Sequence, residues 1–599
     1  MTSRGAATEI PSERRRALLR FWLPVAGLLA IQAGLGISAA NELTPTHDEY
    51  WHLPIGLLNL ETGRFDFDDL NPPLCRVLAA LPLTLTSART GPPDVHHEPQ
   101  EWGDLFIAEN REHYDRWFLL GRSMIVGLSV LAGLVLAVWA RELFGNGAGV
   151  LAALFWGFEP NLIAHGSLVT TDMGAAAFFV FTLYAAWKFA RRPGWPTALV
   201  FGGLLGLAQL AKFTSLVLYP IAIGVFVLAM LDRTQTASPR SAGAARRGIF
   251  RLVGMCLAAL ALSLVVWNSG YLFRGSFSKL ESYDFQSRAL KAVVSRLGGL
   301  RRLPVPLPRD YVTGLDHQRR IMEQKHPVFL DGQWSEEGFP GYYAWAMFYK
   351  LPHALQFLCV LVLFWLVVPG GRARRPALQA AILLPAVVVL AVAESSPMQL
   401  GIRYVLPAVP FTILFASQAA GWLDFKQYPV RSLATLALAG AMLLSIRYHP
   451  EHLSYFNELA GGPLGGREHL LDSNLDWGQD LGRLKKHLDG QPARSGAGSE
   501  IGLAYFGTVP PGALGIRYQI PPGNVPQPGR YAVSVNFEQG RPHWVRTPDG
   551  KIQPVDIGQF AYFSSFQPVV RIGYSIDVFE LTDRDVAEWR RKMAQAMRP

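Results

Sequence analysis

Apolar residues in this chain fall in long blocks divided by short polar stretches. About 20 apolar residues in a helix suffice to cross a bilayer. Eleven blocks are predicted as membrane-spanning helices, near 20–40, 117–140, 147–164, 173–190, 197–211, 214–231, 252–270, 351–369, 377–393, 404–423 and 432–448. Basic clusters mark alternate ends: Arg14 to Arg16, Arg141, Arg191 and Arg192, Arg233 to Arg251, Arg372 to Arg375, and Lys426 with Arg431. Lys and Arg are retained on the cytoplasmic side, so every second connection is cytoplasmic. The alternation closes with the N-terminus inside and everything after about Tyr448 outside. The pair at 197–211 and 214–231 is the least regular, because Lys212 stands between them with almost no loop.

The outer side therefore receives the loop 41–116, the short turn 165–172, the loop 271–350 and the tail. The tail changes pattern, with alternating runs such as IGLAYFG, RYAVSVNF and YSIDVFEL and a helical stretch DWGQDLGRLKKHL. The expected organisation is a cytoplasmic basic segment at 1–19, a membrane domain at 20–448 and an extracytoplasmic α/β domain at 449–599. SERRR before the first block resembles a signal peptide, but the apolar run continues to Ala40 and ISAAN is a weak cleavage site, so it reads as an uncleaved span.

Composition agrees. Half the residues are apolar and only 17% are charged, against the usual quarter. The net charge of +10 does not indicate nucleic acid, because the arginines sit in the clusters that orient the spans. Three cysteines, Cys75, Cys256 and Cys359, give neither a disulfide framework nor a cysteine zinc site.

Candidate chemistry begins in TPTHDEYWHLPIGLLNLETGRFDFDDLNPPLCR, positions 44–76, just past the first block. Asp48 and Glu49 lie at a depth where ionisable groups are read as functional. Thr46-His47-Asp48-Glu49 is also a capping box, which would merely start a helix. That helix would carry Tyr50, Leu53, Leu57 and Leu60 on one face and Asp48, His52 and Asn59 on another, suiting an amphipathic helix lying along the outer surface.

The outer boundary also holds Arg76, His165, Asp172, Lys212, Lys350, Arg403 and Tyr404. Taken singly, each cation fits a side chain snorkelling to head groups, and the tyrosine fits the aromatic belt. Together, acids ringed by cations at one depth suit a substrate with a phosphate at the interface and a lipid tail. The cations would neutralise the phosphate, and a carboxylate would act as general base towards an acceptor hydroxyl. In the tail, Asp472, Asn474, Asp476 and Asp480 alternate as calcium ligands do, without the glycine and glutamate of an EF-hand, so helix capping or acceptor binding is preferred. His96, His97 and His113 read as solvated.

These features resemble the GT-C membrane glycosyltransferases, specifically the dolichyl-phosphate-mannose protein mannosyltransferases (glycosyltransferase family 39) and bacterial relatives such as the lipid A aminoarabinose transferases. The resemblance rests on HDEYWHLPIGLLNLETGRFDFDDLNPPLCRVLAALPL, then SLVTTDMGAAAFFVFTLYAAW, LLGLAQLAKFTSLVLYP, FYKLPHALQFL and IRYVLPAVP in family order. It implies a GT-C fold: an α-helical polytopic membrane protein of about 11 transmembrane helices, with outer-face amphipathic helices and a C-terminal soluble α/β domain.

The resemblance further implies that Asp48 is the catalytic base, that Glu49 braces the site or a metal, and that Asp172 is the second-loop acid. Arg76, Lys212, Lys350, Arg403 and Tyr404 would hold the lipid phosphate; apart from the resemblance, His52 and His165 are further pocket candidates. The implied partners are membrane lipids, a polyprenyl-phosphate sugar donor and an extracytoplasmic protein, lipid or glycan acceptor, with inversion at the sugar. No cofactor is required; a divalent cation, if used, would fall to Glu49 and Asp172. The expected location is a bacterial inner membrane. FYKLP has leucine where the family often shows threonine, and the tail resembles one on bacterial members, so the acceptor stays open. The rival reading is a transporter or flippase of a lipid-linked anion, which would need mid-bilayer charges and repeated halves that this sequence lacks. An anchored binding protein would not need eleven spans.

Overall fold

A computed structural model describes residues 12–95, 97–234, 242–367, 375–423, 426–491 and 500–596. The segment 1–11, the start of the connection SPRSAGAARRG, Arg372 to Arg374 and His96 lie outside the described residues, as do the side chains of Arg14 to Arg16.

The N-terminal half runs α1 (Ser12–Glu42), α2 (Glu49–Thr62), α3 (Leu74–Ala80), α4 (Pro99–Glu109), α5 (Tyr114–Phe144), α6 (Asn146–Phe158), α7 (Pro160–Gly166), α8 (Thr171–Arg191), α9 (Trp195–Ala211), α10 (Leu218–Thr234) and α11 (Ala242–Ser269). Then come α12 (Arg288–Arg296), α13 (Arg309–Met322), the hairpin β1 (Val328–Leu330) and β2 (Gln333–Ser335), α14 (Tyr342–Lys350), α15 (His353–Val367), α16 (Pro376–Glu394), α17 (Val409–Ser417) and α18 (Pro429–Leu443).

Among the described residues, seven helices are long and apolar enough to cross a membrane, or nine if each of two bent pairs counts as one span. The bent pairs are α6 with α7, at 64°, and α14 with α15, at 113°. Pro160 and Pro352 stand at those breaks, where a missing N–H and the clash with the preceding residue end a helix. The nine spans match nine of the eleven predicted blocks. The two others do not form a helix long enough to count as a span.

Block 197–211 is α9, an apolar helix of 17 residues. It packs tightly on α11: a Cβ on Gly202 would lie 2.3 Å from the Ala259 carbonyl oxygen, and one on Gly206 would lie 2.5 Å from that of Ser263. Small residues one turn apart permit such a close crossing where lipid supplies no hydrophobic drive. Block 404–423 is divided into 3-10 turns and the short α17. Pro407 and Pro410 deny it a continuous hydrogen-bond ladder.

α2 is not the surface helix expected. Tyr50, Leu53 and Leu57 are buried, and so are His52 and Asn59 on the other face. It lies enclosed among α3, α4 and the helix ends. Amphipathic character is found instead in the second long loop: α13 buries Tyr311, Val312 and Asp316 and exposes Arg319 and Arg320. The two loops bind each other, with the His317 ring nitrogen Nδ1 2.5 Å from Asp69 Oδ2 and Arg274 donating to the Gly63 carbonyl at 2.9 Å.

The tail carries a five-stranded sheet of β3 (Ile501–Ala504), β4 (Tyr518–Gln519), β5 (Gly529–Ser534), β8 (Val570–Ile572) and β9 (Ile576–Leu581), ordered β4-β3-β5-β9-β8. β3 is parallel to β4 and β5, while β9 is antiparallel to β5 and β8. A separate hairpin joins β6 (His543–Arg546) and β7 (Ile552–Val555). Strand alternation splits the sheet's side chains between two cores. Ala532 and Val578 share the large core of the membrane helices, whereas Tyr531, Val533 and Phe579 form a second core that reaches Ala164, Leu168 and Trp477. One face of the sheet is thus continuous with the core of the membrane helices and the other with the core that reaches the 164–168 turn.

Candidate active site

The loop following α1 is fixed by a buried pair. Glu49 Oε1 accepts from Arg122 Nε at 2.9 Å and from the Val169 N–H at 2.7 Å; Oε2 accepts from Arg122 Nη2 at 2.8 Å and from the Thr46 N–H and hydroxyl at 2.9 and 3.0 Å. Arg122 spends its remaining donors on the carbonyls of Ala40, Leu43 and Thr44, at 2.7, 2.7 and 3.1 Å. Burial alone would raise the Glu49 carboxyl, but Arg122 and the backbone donors outweigh it and hold it below the usual carboxylate range. Glu49 does reach back to Thr46, but the threonine hydroxyl donates to Glu49 instead of accepting from the helix, so only half of the capping box forms.

Arg122 was not singled out in the sequence. Its signal was there: one arginine inside an otherwise apolar predicted span, where a charge needs a partner. Val169 then links the two acidic segments, since its N–H bonds Glu49 and its carbonyl lies 3.0 Å from His52 Nδ1. The first turn of α2 is thereby clasped to the turn that leads into Asp172.

With Glu49 occupied, Asp48 is the acid turned towards the site, about a quarter exposed. Arg403 Nη1 donates to its Oδ2 at 2.8 Å across 355 residues of sequence. The guanidinium carbon lies 4.4 Å from the Trp477 ring and 5.5 Å from that of Tyr404, while Arg403 Nε has no hydrogen-bond partner among the described residues. Lys212 Nζ lies 5.1 Å from the centre of the same Tyr404 ring and donates to Asp172 Oδ1 at 2.5 Å. His165 Nδ1 stands 3.8 Å from Asp172 Oδ2, beyond hydrogen-bond reach, and its ring meets Trp477 edge-on. Asp48, Arg403, Tyr404, Lys212, Asp172 and His165 therefore form one chain of contacts. Asp172 begins α8 and Lys212 follows α9, so these groups gather at helix ends on one boundary.

The tail builds part of this site. The His47 N–H donates to the Trp477 carbonyl at 2.9 Å, and the Thr44 N–H to that of Gln479 at 2.8 Å. Asn474 Oδ1 accepts from the Ile402 N–H at 3.0 Å and holds the turn that presents Arg403. Gly401 at that turn has φ of 91°, and a Cβ there would sit 2.2 Å from Asn474 Nδ2. A side chain would meet both strain and collision.

Two expected phosphate ligands are engaged elsewhere. Arg76 donates to Asn59 Oδ1 at 2.9 Å, Asp68 Oδ2 at 2.7 Å and the Asp68 carbonyl at 2.8 Å, closing the first loop upon itself. Lys350 is fully buried and donates to the carbonyls of Leu453 and Asn474 at 2.8 and 2.6 Å, tying the tail to the end of α14. Metal binding at Glu49 and Asp172 does not fit these donor sets, since five protein donors fill one carboxylate and Lys212 pairs with the other. The tail carboxylates are likewise spoken for: Asp472 pairs with Arg541, Asp476 takes the Ser534 hydroxyl, and Asp480 takes that of Ser575 at 2.7 Å. Asp480 does stand at the N-cap of the helix Leu481–Asp489, with no side-chain capping bond.

Among solved structures the chain resembles ArnT from Cupriavidus metallidurans bound to undecaprenyl phosphate, at 13% identity over 93% of this chain and 98% of that one, with a TM-score of 0.44. It also resembles the apo oligosaccharyltransferase of Archaeoglobus fulgidus, at 13% identity over 89% of this chain and 74% of that one, with a TM-score of 0.41. No curated protein matches in sequence. The family model described as dolichyl-phosphate-mannose-protein mannosyltransferase matches residues 119–267, the stretch holding Arg122, His165, Asp172 and Lys212. Over that stretch, about a quarter of the chain, the sequence is similar to this mannosyltransferase family.

Proposed function

We propose that the protein transfers a sugar from a polyprenyl-phosphate carrier to a hydroxyl acceptor at the extracytoplasmic face of a bacterial inner membrane, with Asp48 as base and inversion at the anomeric carbon. The observation that carries this is the Asp48–Arg403 pair of 2.8 Å beside the Lys212–Asp172 pair, with the two cations 5.1 and 5.5 Å from the Tyr404 ring. The matched family's name, with its phosphate-linked sugar, supports the donor class.

In the reaction, the acceptor oxygen attacks the anomeric carbon as its proton passes to Asp48. The bond from that carbon to the phosphate oxygen breaks, and the electron pair stays on the phosphate. Arg403 and Lys212 lower the barrier by countering charge that grows on the leaving group. In this reading a donor phosphate competes for the Arg403 guanidinium, whose Nε has no hydrogen-bond partner among the described residues, and so frees an Asp48 lone pair to take the proton. Glu49 and Arg122 act by positioning. His47 next to the base packs against Trp51, His543 and Trp544 at ring separations of 5.4, 5.4 and 5.8 Å, and this half-exposed aromatic surface is our acceptor side. The domain division at 448 and 449 is retained for the chemistry of the parts, with the tail contributing Trp477 and Asn474.

The test is transfer from a radiolabelled polyprenyl-phosphate sugar in membranes carrying Asp48→Asn. A loss of about 10²–10⁴-fold at unchanged expression is expected of a general base. Near-normal transfer removes Asp48 from that role.

A further inference from the structure

At the far end of α8 from Asp172, 21 residues and so about 30 Å away, the helix ends converge on a cavity of about 520 Å³. Lys188, Arg191, Arg192, Arg233 and Arg375 line it together with Glu142. Lys188 is paired with Glu142 at 2.9 Å, and Arg191 and Arg375 share the buried Asp232 at 2.7 and 2.5 Å. Among the described residues, Arg233 aside, four cations against two carboxylates leave an excess of two positive charges around one half-open space.

Helix dipoles account for only part of that excess. α5, α8 and α10 end here, each presenting about half a negative charge, while the start of α16 presents about half a positive one. The net offset is about one charge. Snorkelling would spread such side chains outward along the interface, whereas these converge. Trp187 and Leu143 add an apolar wall.

We propose that this cavity binds the phosphodiester head group of an anionic glycerophospholipid from the leaflet opposite the Asp48 site. Basic pockets between spans are suited to such head groups. The bound lipid would hold the ends of α5, α8, α10 and α16 together at a site separate from the transfer chemistry.

Native mass spectrometry of the full chain, loaded with phosphatidylglycerol or phosphatidylcholine of the same acyl chains, tests this. Retention of phosphatidylglycerol over phosphatidylcholine is expected, and the double variant Arg192→Gln with Arg233→Gln is expected to bind it about thirtyfold more weakly. Arg251→Gln, on an exposed position of α11 outside the cavity, is the control and is expected to leave retention unchanged. Equal retention of the two lipids, or an equal loss in the control, overturns the site. Displacement of the lipid by inorganic phosphate at matched charge concentration would assign the cavity to free phosphate instead and overturn the lipid proposal. Should the double variant not fold, the wild-type protein decides: its phosphatidylglycerol retention must fall with rising salt, and indifference to salt refutes a charge-bound head group.

Discussion

Replacing Arg122 by methionine separates the brace from the base. The variant leaves the fully buried Glu49 carboxylate without its guanidinium and strips a donor from the carbonyls of Ala40, Leu43 and Thr44. Removing one partner of a buried ion pair costs about 3–5 kcal/mol, and each orphaned carbonyl adds about 1–3 kcal/mol where water cannot reach it. The sum equals or exceeds about 5 kcal/mol, the lower end of whole-protein stability. Glu49→Gln is expected to follow, because an amide cannot accept along both of its edges. Asp48→Asn breaks a partly exposed pair and is expected to change stability by no more than about 1 kcal/mol. Fluorescence-detected size-exclusion profiles after heating, in one detergent, measure all three. We expect the Arg122 and Glu49 variants to lose their monodisperse peak at temperatures that Asp48→Asn and the wild type survive. Arg122→Met melting with the wild type, or Asp48→Asn collapsing beside it, would refute the division of labour.

Lys212→Ala is expected to raise the donor KM, whereas Lys350→Met is expected to loosen the tail and lower thermal stability with little effect on donor KM; donor titrations and melts on both variants check this. Burial pushes Asp476 up to about 7, against the bonds from Ser534 and the Gly478 N–H. A carboxyl raised in the folded state favours folding while protonated, so its contribution falls as pH rises from about 4, its unfolded value, through about 7. Asp476→Asn is therefore expected to gain stability relative to the wild type at pH 8 but not at pH 5, read as the difference between melting curves; a pH-independent difference contradicts it. Arg403→Ala is expected to weaken donor use more than acceptor use, and an unchanged apparent donor affinity contradicts its assignment to the phosphate.

Nine membrane spans and the central strands of the tail could be read from the chain because each depends on local pattern: length of apolar run in one case, alternation in the other. The acids and cations at one boundary were legible for the same reason, since a charge beside a span end stands out against apolar neighbours. Partner choice was not legible. Whether Arg403 meets Asp48, and whether Arg76 and Lys350 face a substrate or close loops, depends on contacts between residues tens to hundreds of positions apart. Asp48 and Glu49 show this most sharply: adjacent carboxylates with the same local signal, one saturated by Arg122 and Val169 and the other left facing the pocket. Periodicity places side chains on a face, but the packing of α5 and the 167–170 turn against α2 sets which carboxylate has spare lone pairs. Long-range docking likewise brings Trp477 and Asn474 to Arg403, and two of the hydrogen bonds that seat the tail on the first loop, Thr44 to Gln479 and His47 to Trp477, join backbone groups, whose pairing no side-chain pattern records.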